Sequence, residues 1–64
     1  MTAEHFTEFV DTIKKTYGFT NDIVADIFGV TPWTLMHWKR KGVAKRTSIR
    51  FVPALQTYLV NLGL

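Results

Sequence analysis

Apolar positions recur with a helical period through the first part of the chain. One predicted helix face in residues 2–17 is made of Phe6, Phe9, Val10, Ile13 and Tyr17. These residues have the i, i+3, i+4, i+7 spacing that places side chains on one side of an α-helix. Thr2 can cap the start of this helix, and Gly18 can close its end in the left-handed conformation. The pattern therefore predicts a first amphipathic helix.

A shorter helix is predicted directly after it. Thr20 or Asn21 can cap its start with a side-chain oxygen, and Asp22 lies near the positive end of the helix dipole. The apolar pattern continues to Phe28, and Gly29 then supplies a stop. We expect a second helix that ends at Phe28.

A third helix is predicted from a threonine followed by a proline. Thr31 can cap the helix, and Pro32 takes the first helical position, where a missing N–H costs nothing. Gly42 supplies the stop, and the last turn before it is rich in cations, as the helix dipole favours. We expect this helix to run from Pro32 to about Lys41.

The C-terminal third is helical in pattern but contains a proline, which removes one hydrogen bond from a helix interior. We expect two pieces, one from about Ala44 or Arg46 to Phe51 and another from Pro53 to about Asn61. A single kinked helix is the alternative. There is no internal repeat, linker or convincing strand pattern. The sequence thus predicts a single all-α domain of four or five helices over residues 1–64.

Charge is unevenly divided along the chain. Residues 1–32 hold five acids and two lysines, a net charge of −3, whereas residues 33–64 hold six cations and no acid, a net charge of +6. A basic pole of this kind suits a polyanion, because neutralising phosphates releases condensed counterions. The alternative is a solvated cationic surface that serves solubility.

Composition argues against several classes of protein. The chain has no cysteine, so nothing indicates an oxidising compartment and we expect an intracellular protein. No apolar run approaches the length of a membrane span. His5 and His37 fall on different predicted helices, and Ser48 is the only serine. Because paired carboxylates, a glycine-rich phosphate loop and metal-ligand spacing are all missing, we expect no enzyme, cofactor, metal or small-molecule ligand.

Residues 21–40 contain a spaced set of small and apolar positions. The fifth position is small, the ninth is glycine, and the fourth, eighth, tenth, fifteenth and eighteenth are apolar. In the same order, the residues are Ala25, Gly29, Val24, Phe28, Val30, Leu35 and Trp38. With this spacing the segment resembles the helix-turn-helix of lambda-repressor-like proteins, the family of phage repressors and Cro proteins. The small residue allows two helices to cross closely, the glycine permits the turn, and the apolar positions build the core between the helices.

The resemblance implies that the second helix of the motif, residues 32–40, enters the DNA major groove. By position in the motif, the candidates for base contact are Thr31, Trp33, Met36, His37 and Arg40. Arg40 could bind guanine through two hydrogen bonds, and His37 could donate to a base acceptor. Met36 or Trp33 could contact a thymine methyl group.

Phosphate contacts are expected at the start of the second helix and around the third. The candidates are Asn21, Lys39, Lys41, Lys45, Arg46 and Arg50. Such contacts would position the protein without selecting a sequence. For any single cation, the alternative is an ordinary surface residue.

The groove-facing positions depart from the family in one respect. Many relatives have Gln, Asn, Ser or Arg where this chain has Pro32 and Trp33, so the expected DNA-facing surface is unusually apolar. The alternative for Trp33 is that it folds back onto the core, as large aromatic side chains often do.

The function that these patterns predict is a sequence-specific regulator of transcription that binds a double-stranded DNA operator. The resemblance implies a phage Cro- or repressor-like protein, nucleoid-associated in the cytoplasm of a bacterial host. We expect a weak homodimer through the C-terminal apolar residues Tyr58, Leu59, Val60 and Leu62. Those residues could equally complete the core. They could also dock a protein partner, and the alternative function is a protein-interaction module on a helix-turn-helix scaffold without DNA binding.

Overall fold

The computed structural model describes residues 1–63 and is helical throughout. The helices are α1 (Ala3–Tyr17), α2 (Asn21–Phe28), α3 (Pro32–Lys41), α4 (Lys45–Ser48) and α5 (Phe51–Asn61). Of these, α4 is a single turn, and residues 1–63 contain no strand. The predicted all-α fold of four or five helices is confirmed.

The first three helices begin and end at the residues that the sequence indicates. The side chains of Thr2, Thr20 and Thr31 each accept a hydrogen bond from the backbone N–H three residues later. Gly18 and Gly29 take the left-handed conformation, with φ of 72° and 71°. These caps satisfy backbone groups that the helix leaves unpaired at its ends. They fix where each helix begins, and therefore which side chains face inward.

The C-terminal segment is divided into two helices, as expected, but the break lies earlier than predicted. It falls at Ile49 and Arg50, so the assignment of Phe51 to the first piece is wrong. The first hydrogen bond within α5 runs from the N–H of Ala54 to the carbonyl of Arg50, 3.1 Å away. Pro53 lies in the first turn, before that bond, and its missing N–H removes no hydrogen bond from the helix.

The core lies where α1, α2, α3 and α5 meet. Its buried residues are Phe6, Val10, Ile13, Val24, Ala25, Leu35, Val43 and Phe51. Phe51 is the centre of an aromatic cluster. Its ring centroid lies 5.6 Å from Phe6, 6.2 Å from Phe9, 4.4 Å from Phe28 and 5.6 Å from Trp38. One side chain of α5 thus contacts rings from α1, α2 and α3.

The start of the chain is fastened to the segment that follows α3. The terminal amine of Met1 donates to the carbonyl of Val43, and the N–H of Val43 donates to the carbonyl of Met1, both at 2.9 Å. Gly42 ends α3, as predicted, with φ of 86°. A Cβ atom at Gly42 would lie only 2.9 Å from the carbonyl oxygen of Met1. This position therefore requires glycine both for its backbone conformation and for the close approach of the two segments.

Candidate nucleic-acid interface

A three-residue turn, residues 29–31, joins α2 to α3. The N–H of Val30 donates to the carbonyl of Ala25 at 2.9 Å, which closes the end of α2. Val24, Ala25 and Leu35 are at most 1% exposed. Phe28, Val30 and Trp38 pack against the core from its edge. The six small and apolar positions of the motif therefore all contribute to the packing of this helix pair, and its glycine makes the turn.

The packing of α3 leaves one stripe of the helix open to solvent. Leu35 is buried and Trp38 is partly buried on the inner side. The opposite side carries Trp33, Met36, His37 and Arg40, which together line a shallow depression. We call these four residues the outer stripe. Four of the five predicted base-contacting residues are thus brought together on one surface.

Trp33 is the most exposed large apolar side chain in the described residues, at 74% exposure. Its ring lies parallel to that of His37, with the centroids 5.4 Å apart and 10° between the planes. The alternative in which Trp33 folds back onto the core is therefore wrong. Its only aromatic neighbour within residues 1–63 is one turn away on the same helix. The stacked contact with His37 leaves most of the Trp33 side chain exposed to solvent.

Thr31, the fifth candidate for base contact, is exposed, but its hydroxyl is already hydrogen-bonded to Thr34. Its hydroxyl accepts the N–H of Thr34 at 3.2 Å and lies 3.1 Å from the hydroxyl of Thr34. The cap satisfies a backbone donor that would otherwise be unpaired. Thr31 accordingly has a structural role, and a base would have to share its hydroxyl with Thr34.

Most of the predicted phosphate-contacting cations are free to meet an outside group. Lys41, Lys45, Arg46 and Arg50 are exposed, as is Arg40 on the outer stripe. Lys41 ends α3, Lys45 and Arg46 belong to α4, and Arg50 precedes α5. Since residues 27–64 contain no acid, α3 and the segments that follow it along the chain carry no negatively charged side chain.

Lys39 differs from the other predicted phosphate contacts. Its side chain is only 15% exposed, and its ammonium nitrogen lies 3.7 Å from a carboxylate oxygen of Asp11 on α1. The hydroxyl of Thr7 also lies 3.3 Å from the backbone carbonyl of Lys39. Lys39 therefore joins α3 to α1, and a contact with phosphate would require this ion pair to open.

Asn21 is the first residue of α2, directly after the capping threonine. Its carbonyl oxygen Oδ1 is buried without a hydrogen-bond partner. A buried acceptor without a partner destabilises the fold. The amide nitrogen of Asn21 is the donor of this side chain, so an acceptor such as a phosphate would be bound through that atom.

The predicted C-terminal apolar patch is divided between the core and the surface. The ring of Tyr58 packs edge-on against Phe19, with centroids 5.7 Å apart. Leu59 is half-buried, whereas Val60 is 72% exposed and Leu62 is 50% exposed. Completion of the core thus accounts for Tyr58, and the end of α5 remains apolar and uncovered.

The exposed apolar surface also includes Val52 in the first turn of α5 and Ile49 in the break before that helix. Ile49 and Val52 are 66% and 51% exposed. A shallow groove on the same helix is lined by Pro53, Gln56, Thr57, Val60 and Asn61. Two signals in the sequence could have revealed the α5 part of this surface: the absence of charge from residue 51 onward, and the helical spacing of residues 52, 53, 56 and 60.

Neither a metal site, a membrane-spanning helix nor a similar protein gives independent information about the function of this surface. Within residues 1–63, no group of three or more His, Cys, Asp or Glu side chains could hold a metal ion. None of the helices described is both long enough and apolar enough to span a bilayer. Comparison with protein-family models, curated proteins and solved structures finds no match to the chain. Function is therefore inferred from the residues and their geometry.

Proposed function

We propose that this protein is a sequence-specific double-stranded DNA-binding regulator of transcription, with α3 in the major groove. The observation that carries the proposal is the outer stripe, where an exposed tryptophan and an exposed arginine line one depression. Four exposed cations follow it along the chain: Lys41, Lys45, Arg46 and Arg50. Apolar and cationic groups together complement a surface of base edges flanked by phosphates. The resemblance of residues 21–40 to lambda-repressor-like proteins supports the same function.

The dimensions of α3 suit such a docking. Ten residues of α-helix are about 15 Å long, and the major groove, about 12 Å wide, admits one helix. The inner side of α3 is held by the core, so the outer stripe is the side that would meet base edges. The short turn after Gly29 sets the start of α3 relative to α2, whose own first residue, Asn21, would lie toward a phosphate.

Different residues would have different tasks in this complex. Arg40 would donate two hydrogen bonds to guanine, and His37 would donate to a neighbouring acceptor. Lys41, Lys45, Arg46 and Arg50 would bind phosphates and position the helix. Removing Arg40 should change sequence preference, whereas removing Lys45 should weaken binding to all DNA alike.

The uncharged face of α5 supports a weak homodimer. Residues 51–64 contain no charged side chain, so two copies can approach through α5 without bringing like charges together. One short helix face covers less area than a stable interface usually buries, so the association would be weak in the absence of DNA. Two-fold pairing would match a palindromic site. Together with the family resemblance, it suggests a phage Cro- or repressor-like regulator that acts by occupying a promoter in a bacterial cytoplasm.

A protein-interaction module is the second candidate function. The exposed Ile49, Val52, Val60 and Leu62 favour it, because an uncharged apolar face can also accept a helix from a different protein. The two candidates respond differently to salt. Binding to phosphates weakens steeply as salt rises, whereas apolar docking does not.

Fluorescence anisotropy with a mixed pool of duplex DNA tests the proposal. The wild-type chain is titrated at several salt concentrations beside Arg40→Ala, Lys45→Ala and Lys15→Ala. Lys15 is an exposed lysine of α1, so the last variant makes the same charge change away from the proposed interface. We expect Lys45→Ala to lower the salt slope by about one, and Arg40→Ala to lose roughly 1–3 kcal/mol against the preferred sequence.

The two candidate functions give different results in this experiment. Affinity that falls steeply with salt, with Lys15→Ala close to wild type, supports the DNA-binding regulator. Absence of binding even at low salt would exclude it and favour a protein partner for α5. Equal losses for Lys15→Ala and Lys45→Ala would indicate diffuse attraction by net charge without a defined interface.

A further inference from the structure

The outer stripe and its surroundings have an unusual set of hydrogen-bonding groups. Residues 27–55 contain no Asn, Gln, Asp or Glu, so α3 and its flanking segments have no amide or carboxylate side chain. Arg40 can only donate, and a neutral His37 ring has one nitrogen that donates and one that accepts. The hydroxyl of Thr31, a possible acceptor, is already engaged with Thr34. The surface is therefore rich in donors and poor in acceptors.

Base edges in the major groove differ in what they require from a protein. Adenine and cytosine present amino groups, which need an acceptor such as Asn, Gln, Glu or Asp. Guanine presents two acceptors, and thymine presents one acceptor and a methyl group. Adenine also has the acceptor N7, but a surface of donors would leave its neighbouring amino group unpaired. The guanine and thymine edges therefore match the donors of the outer stripe best.

The apolar side chains of the outer stripe further restrict which base edge it would select. Trp33 is 74% exposed and Met36 is 48% exposed, and the aromatic neighbour of Trp33 within residues 1–63 is His37 on the same helix. Both side chains line the same depression as Arg40. The methyl group of thymine is the apolar group that unmodified base pairs present in the major groove. A surface of this kind would gain affinity from covering that methyl group.

We infer that α3 selects a thymine methyl group, covered by Trp33 and Met36, close to a guanine bound by Arg40. This inference rests on the proposed function and names the base edges that the same surface would select. Seven helical positions separate Trp33 from Arg40, a rise of about 10 Å, so the thymine lies within about three base pairs of the guanine. Selection at these positions makes no use of an adenine or cytosine amino group.

Base analogues test this inference on DNA sites obtained with the protein itself. Preferred duplexes are first selected from a random pool, and each thymine is then replaced in turn by uracil, which lacks only the methyl group. We expect at least one replacement to weaken binding about fourfold, the effect of exposing one methyl-sized group to water. Replacing adenine by 2-aminopurine, which moves the amino group out of the major groove, is the matched control and should leave affinity unchanged.

Variants connect the lost methyl group to particular side chains. The double variant Trp33→Ala, Met36→Ala should bind the thymine and uracil duplexes equally, because the apolar cover is removed. Lys15→Ala replaces an exposed side chain of α1, outside both proposed binding surfaces, and should keep the fourfold preference. Circular dichroism checks that the double variant remains folded, as expected for two exposed side chains.

Each result supports or overturns a defined part of the account. Failure of the wild-type chain to bind any duplex overturns the proposed function, and this inference with it. Binding to selected sites with no uracil effect at any position, or with losses at 2-aminopurine, overturns the inference and leaves the proposed function intact. A double variant that still prefers thymine over uracil would also overturn the assignment to Trp33 and Met36.

Discussion

The two tryptophans of α3 are five residues apart and have opposite surroundings. Trp38 lies on the inner side, with ring centroids 5.7 Å from Phe6 and 5.6 Å from Phe51. Trp33 lies on the outer stripe, 74% exposed, with His37 as its single aromatic neighbour in residues 1–63. The residue type is the same, so the difference comes from the phase of the helix against the core. One tryptophan contributes to folding, while the other is left available to a partner.

This contrast distinguishes the side chains that a very short chain packs into its core from those that it leaves exposed. A domain of this size has little core to spare, so an indole that could stabilise the fold is costly to leave in water. The core already receives five aromatic rings from four helices. The inner side of α3 is therefore explained by packing, and binding by the outer stripe is the function proposed above. Substitutions on the two sides should separate stability from affinity.

The largest effect is expected from removal of the ring that organises the inner side. Phe51→Ala should cost about 3–5 kcal/mol, because four neighbouring rings lose their common contact and a cavity remains. Much of the population should then be unfolded, as measured by chemical denaturation followed by circular dichroism. The adjacent Val52→Ala is the control, since Val52 is 51% exposed and should change stability little. Equal losses for the two variants would contradict the arrangement of the core.

The second prediction compares the tryptophans directly. Trp38→Ala should lower stability by about 3 kcal/mol, the lower end for a packed aromatic, because its ring is partly exposed. Trp33→Ala should change stability by no more than about 0.5 kcal/mol. In a DNA titration, Trp33→Ala should weaken binding by the folded protein more than Trp38→Ala does. A large loss of stability in Trp33→Ala would mean that the core depends on the outer stripe.

The third prediction concerns two glycines, Gly29 in the turn before α3 and Gly42 at the end of that helix. Gly29→Ala should cost about 1–2 kcal/mol from its left-handed backbone alone, because a Cβ atom there would meet nothing within 4 Å. Gly42→Ala should cost more, since its Cβ atom would also lie 2.9 Å from the carbonyl of Met1. Thermal unfolding of both variants measures the order. The reverse order would contradict the close approach of the chain start to the end of α3.

The smallest effect is expected from Asn21→Ala, which should raise the stability of the fold and lower its affinity for DNA. Asn21→Ala removes a buried carbonyl oxygen that has no hydrogen-bond partner, so stability should rise by up to about 1 kcal/mol. The same change removes the amide donor proposed to meet a phosphate, so DNA affinity should fall. Thr20→Ala is a useful comparison, because loss of the neighbouring cap should cost about 1 kcal/mol. A fall in stability for Asn21→Ala would indicate that the amide has a structural partner.

Local signals in the sequence were sufficient for the first three helices. Threonine caps, glycine stops and the helical period predicted their ends, and the resemblance of residues 21–40 to a helix-turn-helix implied that Leu35 and Trp38 face inward. These features depend on residues within one or two turns of each other, which is the range over which sequence patterns are informative. The choice of outer stripe followed from the same geometry.

Contacts between distant parts of the chain could not be predicted in this way. The central position of Phe51, the pairing of Met1 with Val43 and the ion pair of Lys39 with Asp11 each join residues far apart in sequence. The direction of Trp33 also depended on whether the core had room for another ring. Such outcomes are decided by packing of the whole domain, which no local pattern records.

The central claim is that the outer stripe of α3 is the DNA-binding surface, and the two indole N–H signals test it most directly. They are followed by nuclear magnetic resonance while an isotope-labelled chain is titrated with duplex DNA, and each is assigned with a tryptophan-to-phenylalanine variant. We predict that the Trp33 signal shifts together with amides of α3 and α4, while the Trp38 signal stays nearly constant. DNA binding that shifts α5 and leaves the Trp33 signal in place would contradict the claim.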